Sequence, residues 1–376
     1  MSSVVVAMSG GVDSSVAAAL LKDAGYRVIG VTMQVWPQDG GRAGGCCGLD
    51  AVEDARKVAQ RLDIPHYVLN FRDVFSRRVI VDFCEEYRRG RTPNPCIRCN
   101  QYIKFDALLE KARMLGADFI ATGHYARIEK DEAERRNLLK KGVDYDKDQS
   151  YFLYIMTQAQ LEQTLFPIGH LTKQKVREIA RELKLPVAER PESQDICFIP
   201  DDDYAGFLRS YIPESATPGP ILDEAGNILG THQGLMYYTV GQRKGLGIAA
   251  PAPRYVVAIE PGENALVVGS RESALGKGLI ASNLNWVALD GLTGTMRARA
   301  RIRYRHKEAE ATITAKDCAT IYVEFDRPQW AITPGQAVVF YRDDVVLGGG
   351  TIEKAEKSKD RAKEAAHGFS RSRLQQ

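Results

Sequence analysis

Val4-Val5-Val6-Ala7-Met8-Ser9-Gly10-Gly11-Val12-Asp13-Ser14-Ser15 passes from an apolar strand, through a serine and glycine turn, into an alanine-rich helix. Paired glycines let backbone N–H groups approach a ligand closely, and the helix start adds partial positive charge. Ser9, Ser14 and Ser15 add hydroxyl donors. Phosphate is the natural guest of such a turn, although a bare Gly-Gly serves a tight strand-to-helix connection equally well. The G-x-x-x-x-G-K-[ST] run is missing, since Gly276-Lys277 is followed by Gly278. Lysine-assisted transfer of a γ-phosphoryl group is therefore not expected.

Outward from this turn, strands at 4–8, 27–33, 66–70 and 118–122 alternate with helices at 12–23, 50–62, 74–88 and 104–115. Such alternation predicts βαβ units, that is, an α/β fold with a parallel sheet covered by helices on both faces. Ligands of open sheets of this kind sit beyond the carboxyl ends of the strands, here the loops after Met8, Met33 and Thr122. Residues 129–149 are charged and weakly periodic and read as a surface excursion. Helical periodicity returns at 173–183, an extended loop is expected at 186–200 and a short helix at 202–211. From 218 onward short β-rich segments dominate, at 222–230, 255–260, 265–269, 285–287, 297–305, 311–315, 320–325, 337–341 and 345–351. They read as a small β-rich domain followed by a β-barrel. The expected divisions are 1–205, 206–275 and 276–353, with a basic polar tail at 354–376; a chain of 376 residues suits two or three domains of about 150 residues each.

A composition of 44% hydrophobic and 26% charged residues excludes collagenous and disordered chains. The formal charge of +3 is unevenly spread: seven Lys/Arg against three Asp/Glu follow from Lys354 on, leaving 44 cations against 45 acids in the body. Net charge thus says nothing about partners, and only clustering can. No apolar run approaches the roughly 18 residues of a membrane span, and no signal peptide is visible, so a cytoplasmic, monomeric protein with no membrane partner is expected. Seven cysteines in such a compartment are catalytic, metal-binding or buried in preference to disulfide-bonded.

Thr92-Pro93-Asn94-Pro95-Cys96-Ile97-Arg98-Cys99-Asn100 precedes the helix expected from Lys104. A helix start and Arg98 beside Cys99 would both favour a thiolate there. Cys197 lies in a loop, Ile196-Cys197-Phe198. Cys84 and Cys318 are expected as small buried hydrophobes, and Cys46 and Cys47 stay undetermined. Structural zinc needs four ligands, and no second pair completes a site around Cys96 and Cys99. Cys96, Cys99 and Cys197 could instead hold an iron–sulfur cluster, the less favoured alternative.

The string Ser9-Gly10-Gly11-Val12-Asp13-Ser14 resembles the pyrophosphate loop of the N-type ATP pyrophosphatases. With it, Gly90-Arg91-Thr92-Pro93-Asn94-Pro95, Cys99-Asn100, Ile103-Lys104-Phe105, Ala121-Thr122-Gly123-His124-Tyr125, Lys147-Asp148-Gln149-Ser150-Tyr151, Ile196-Cys197-Phe198 and Gly241-Gln242-Arg243-Lys244-Gly245-Leu246-Gly247 resemble, in order and spacing, the tRNA-specific 2-thiouridylases. The resemblance implies an adenine nucleotide α-hydrolase-like first domain, and sulfur replacing O2 of the wobble uridine, position 34 of tRNAs for Lys, Glu and Gln. It implies ATP with Mg²⁺, an adenylated uridine, and an upstream persulfide or sulfur-relay donor protein. By similarity Cys197 carries the persulfide and Cys99 is the nucleophile. Ala7, Met8, Ser9, Gly10, Gly11, Val12, Asp13, Ser14, Met33 and Gly123 would surround ATP, and Asn94, Pro95 and Cys96 the target base. His124, Lys147, Asp148, Gln149, Arg303, Tyr304 and Gln336 would contact tRNA. One departure matters: some members of the family carry Asp where this chain has Cys96, so a carboxylate assigned general acid/base work is absent here.

Met296-Arg297-Ala298-Arg299-Ala300-Arg301-Ile302-Arg303-Tyr304-Arg305-His306-Lys307 puts a cation at every odd position. On one strand all six would share a face. Either carboxylates pair with them or the stripe meets a phosphate backbone, which its uniformity favours; Arg243 and Lys244 suggest a second backbone contact. An ATP-dependent tRNA sulfurtransferase leads the readings. A small-molecule adenylating ligase and a non-catalytic RNA-binding protein follow it, the first opposed by the thiols and cations, the second by the intact loop.

Overall fold

The computed structural model describes residues 1–36, 49–191, 196–199 and 203–356. Strands β1 (Ser3–Ala7), β2 (Arg27–Gln34), β3 (His66–Asn70) and β4 (Phe119–Ala121) form where the alternation predicts them. A hairpin of β5 (Ala126–Asp131) and β6 (Arg136–Lys141) follows, then β7 (Thr164–Leu165). The order β3-β2-β1-β4-β7 makes one five-stranded sheet in which every pairing is parallel. Its central strand is buried throughout, hence the unbroken apolar run. Val4 and Val6 pack with Val12, Val16 and Leu21 of helix α1 (Val12–Asp23), whereas Val5 and Ala7 join Phe75, Phe83 and Phe105 on the other face. Two helical layers therefore sandwich the sheet.

Strands β8 (Gly219–Leu222), β9 (Ile228–His232), β10 (Tyr255–Glu260) and β11 (Ala265–Gly269) build a second sheet in the order β10-β11-β8-β9. Segment 222–230 is thus the turn of a hairpin and the start of its second strand. Strands β12 (Leu275–Trp286), β13 (Thr295–Arg301), β14 (Ala309–Ala315), β15 (Ile321–Trp330), β16 (Ala337–Arg342) and β17 (Val345–Glu356) follow. Because β12 pairs with β15 on one side and β17 on the other, these six close into a barrel. Leu279, Ile313, Phe325, Val338, Phe340 and Ile352 fill it. Strand β17 continues to Glu356, so the stretch expected as tail starts with barrel; the rest of that tail, 357–376, lies outside the described residues, as do Cys46 and Cys47.

Of the surface excursion expected at 129–149, the part up to Lys141 forms the hairpin of β5 and β6, and 142–149 are turn and loop. Strand β6 adds to the edge of β17 through Val345 opposite Lys140, so a hairpin of the first domain extends the barrel sheet. Its charges serve that junction: Arg127 and Lys140 reach Asp344, and Arg136 reaches Asp290. Alternating charge concealed the strands because their partners lie about two hundred residues away.

Candidate active site

The carboxyl ends of β1, β2 and β4 meet around the glycine turn. Gly10 has φ +70°, and a Cβ there would run into the backbone of Ala51. Gly123, just after β4, sits so close to α1 that a Cβ would lie 2.6 Å from Ser14 N and 2.7 Å from the Asp13 carbonyl carbon. Ser9 N–H donates to Ser14 Oγ at 3.2 Å, and the hydroxyls of Ser14 and Ser15 donate to Gly11 O at 3.2 and 2.8 Å. These hydroxyls therefore brace the turn before they serve any ligand. Gly11 is the N-cap of α1 and brings no side-chain cap, so the first helical N–H groups face the turn. A phosphate fits that cradle. Ala7 and Met8 are buried, and half-buried Met33 lies next to the last residue of β2.

Sequence reasoning missed two cations here. Lys173 Nζ holds Asp13 through both carboxylate oxygens, at 2.8 and 2.7 Å, while Tyr125 Oη donates to Asp13 Oδ1 at 2.7 Å. Arg190 donates to Gly10 O at 3.3 Å and pairs with Asp54. Both arrive from beyond residue 170, which no local pattern reveals.

The helix expected near Lys104 begins at Pro95. It runs as α-helix over Pro95–Cys99, π-helix over Asn100–Ala107 and α-helix over Leu108–Met114. Asn94 caps it by accepting from Cys96 N–H at 3.2 Å, with Pro95 in the first turn, a start signal that the sequence did contain. Cys96 is exposed on that turn and Cys99 is half-buried. Arg98, expected to activate Cys99, instead shares its charge with Asp82 at 3.3 Å and donates to Gln101 at 3.0 Å.

Half-buried Cys197 packs against the same apolar cluster as Cys99. Its neighbour Phe198 is locked among Phe75, Phe83 and Phe207, ring centroids 5.5, 5.4 and 5.3 Å away. A cleft of about 570 Å³ opens beside both cysteine segments, lined by Pro93, Ile196, Tyr204, Met236, Thr239 and Gln336 from all three parts of the chain. Cys84 is buried, and burial pushes its thiol up to about 11, whereas Cys318, expected buried, is exposed in the turn before β15. Among the described residues, no three His, Cys, Asp or Glu side chains converge as metal ligands, Cys96, Cys99 and Cys197 included.

Most residues expected to touch tRNA turn inward. Gln336 donates to Thr92 O at 2.8 Å and Pro93 O at 3.3 Å, so a barrel turn holds the loop ahead of Cys96. Asp148 is 2% exposed and accepts from Gly142 N–H, Ser150 N–H and Arg301, each at 3.1 Å, and a buried carboxylate offers nothing to a polyanion. Arg303 donates to Val240 O at 3.0 Å and to Thr333, and burial lowers its pKa. Gln149 accepts from Tyr125 N–H at 3.0 Å; the Tyr304 ring lies tilted against Phe152, centroids 4.4 Å apart; Lys147 is half-buried in the turn before Asp148. The cation stripe breaks because β13 stops at Arg301: Arg297 pairs with Asp326, Arg299 with Glu308 and Arg301 with Asp148. Arg305 and Lys307 are exposed, as are Arg243 and Lys244, and Arg297 is exposed with its pair.

His124 is buried between Phe105 and Phe166, its Nδ1 2.7 Å from Thr122 Oγ1 and its Nε2 3.4 Å from Lys104 Nζ. Burial, reinforced by the Lys104 cation, holds its pKa well below that of an ordinary histidine. Below about pH 6.5 the unfolded chain takes up a proton that the native ring refuses, so stability falls as pH falls, by about 1.4 kcal/mol per unit until the native pKa is reached. His66, lowered by burial and then Arg56, acts in the same direction. Urea titrations at pH 7.5 and 5.5 are expected to show this loss, and His124→Gln to flatten it; an unchanged slope in the variant would exclude His124 as its source.

A family model described as tRNA methyl transferase HUP domain matches residues 2–201, one described as tRNA methyl transferase PRC-barrel domain matches 205–270, and one described as aminomethyltransferase beta-barrel domain matches 276–352. A protein of Heliobacterium modesticaldum named tRNA-specific 2-thiouridylase MnmA is 57% identical over 353 residues, 93% of this chain and 92% of the relative. Its namesake in Symbiobacterium thermophilum is 55% identical over 94% of this chain and 92% of its own. A third, MnmA 2 of Caldanaerobacter subterraneus subsp. tengcongensis, is 54% identical over 93% and 98%. Identity above one half along nearly the whole of each chain, with three family models laid end to end on the same fold, places this chain in the tRNA-specific 2-thiouridylase (MnmA) family.

Proposed function

We propose that this protein is a tRNA-uridine 2-sulfurtransferase that exchanges O2 of the wobble uridine, position 34 of tRNAs for Lys, Glu and Gln, for sulfur. The observation that carries the reading is the cradle at Gly10 and Gly123 in one domain with two half-buried thiols, Cys99 and Cys197, that pack on one apolar cluster, with a cleft at Pro93 and Ile196 of their segments. A urea-like carbonyl oxygen leaves poorly, so ATP is consumed to turn it into an adenylate with loss of pyrophosphate. Residues 7–14, Met33 and Gly123 hold the nucleotide, with Mg²⁺ as counter-ion of its phosphates. Asn94, Pro95 and Cys96 face the base.

Cys197 receives a persulfide from a donor protein. Its outer sulfur attacks the activated carbon and AMP leaves with the former O2. Cys99 then closes a disulfide with Cys197 to release the product sulfur, or frees sulfide from the persulfide beforehand, and an external thiol restores both. Arg243, Lys244, Arg305 and Lys307 meet the RNA backbone as exposed cations. The deciding experiment supplies ATP, a persulfide donor and unmodified tRNA and looks for 2-thiouridine by mass. Its absence overturns the reading, and pyrophosphate release that needs a small acid and ignores tRNA favours a ligase.

Gly123→Ala tests the cradle on its own. The added methyl, 2.6 Å from Ser14 N, must push β4 or α1 aside. A roughly tenfold or greater rise in the Kd for ATP is expected, since such misplacement is costly in a preformed site. Calorimetric titration showing wild-type affinity would remove Gly123 from the nucleotide site.

A further inference from the structure

A phosphate loop without its own lysine needs other cations to meet a triphosphate. The two nearest are committed: Lys173 to both oxygens of Asp13, and Arg190 to Asp54. Lys104 differs. Its half-buried ammonium lies 3.4 Å from His124 Nε2, and among the described residues no carboxylate stands within ion-pair distance of it. An ammonium only donates, so Nε2 must accept, and the ring proton sits on Nδ1 facing Thr122 Oγ1 at 2.7 Å. The neutral imidazole orients the charge without cancelling it.

Position and register make this cation useful. His124 follows Gly123, the residue pressed against the first turn of α1, so the ring that orients Lys104 is one residue along the chain from the phosphate cradle. The helix carrying Lys104 is of the π type from Asn100 to Ala107. In an α-helix Cys99 and Lys104 would point about 140° apart; the i→i+5 pairing of a π segment returns residues five apart to one face. The irregularity thus rotates Lys104 towards the face that bears Cys99, relative to a regular α-helix. π-bulges are rare and cluster at functional sites.

We infer that Lys104, oriented by His124, binds the reacting phosphoryl group of the nucleotide and supplies the charge that the glycine loop lacks. This rests on the ATP reading above.

The test measures ATP affinity of the full-length protein by calorimetry, beside tRNA affinity without nucleotide. Lys104→Gln is expected to raise the Kd for ATP roughly tenfold, as loss of a charge-assisted hydrogen bond does, and to make it less sensitive to salt. Lys104→Arg should recover part of the affinity, and tRNA binding should stay within twofold for both. Lys104→Gln binding ATP like wild type overturns the inference while leaving the wider reading in place. Equal losses for ATP and tRNA, or an unfolding temperature lowered in Lys104→Gln and Lys104→Arg alike, make Lys104 structural and overturn it too. Wild type that does not bind ATP overturns both together.

Discussion

Cys197→Ser and Cys99→Ser are each expected to cut 2-thiouridine formation by ~10³-fold or more, the scale on which enzymes lose a nucleophile, with the Kd for ATP within twofold of wild type. A serine hydroxyl has the size of the thiol but neither carries a persulfide nor leaves as a thiolate. The variants should differ in where sulfur stops. Given a persulfide donor labelled in its terminal sulfur, Cys197→Ser should take up no label, whereas Cys99→Ser should load Cys197 and hold the label there. Cys84→Ser serves as the control, because its thiol is buried and pushed up to about 11. Retention of a tenth of wild-type activity by both active-site variants would refute the two-thiol mechanism. Cys96→Ser separates it from the iron–sulfur alternative. A cluster would need that exposed thiol as a ligand, so iron content and visible absorbance after anaerobic purification should fall with the substitution if a cluster exists, and should be absent from wild type if it does not.

The strand, glycine turn and helix at residues 3–23 were legible because each signal is local: an apolar run of five, a Gly-Gly turn, then an alanine-rich helix. Alternation over the first third carried the parallel sheet for the same reason. What escaped was non-local. Every odd residue from Arg297 is cationic, yet no pattern within the stripe announces Asp326, Glu308 or Asp148 as partners, or that β13 stops at Arg301. The β5–β6 hairpin was hidden similarly, its charges making sense only beside Asp344 and Asp290. The two thiols were picked from motif context, and their common apolar cluster emerges only on folding. The helix start at Asn94-Pro95 was a missed local signal, and it moves Cys99 from a helix entrance to the end of its first α-helical segment.

Arg301→Met is expected to destabilise the protein by about 3 kcal/mol, the scale on which a buried carboxylate loses its counter-charge, and to affect RNA affinity only through folding. Arg301 Nη1 lies 3.1 Å from Asp148 Oδ2, the pair is 12% and 1% exposed, and the guanidinium stacks over Tyr151 and Tyr304. Asp148 keeps donors from Gly142, Ser150 N–H and Ser150 Oγ, which hold the cost towards the lower end. Asp148→Asn should also destabilise, because its single amide oxygen can serve either Gly142 N–H and Ser150 N–H or Arg301, and the buried guanidinium loses its counter-charge. Combining Asp148→Asn with Arg301→Met should recover more than 1 kcal/mol relative to the sum of the single changes, since neither buried charge then remains alone. Urea unfolding of the four proteins measures that coupling. This pair joins the loop of Lys147, Asp148 and Gln149 in the first domain to the barrel strand β13, so its rupture should loosen the junction from which Arg303 reaches Val240. If Arg301→Met instead unfolds like wild type yet binds tRNA tenfold more weakly, Arg301 contacts the RNA directly and the stripe regains its reading as a phosphate-backbone surface.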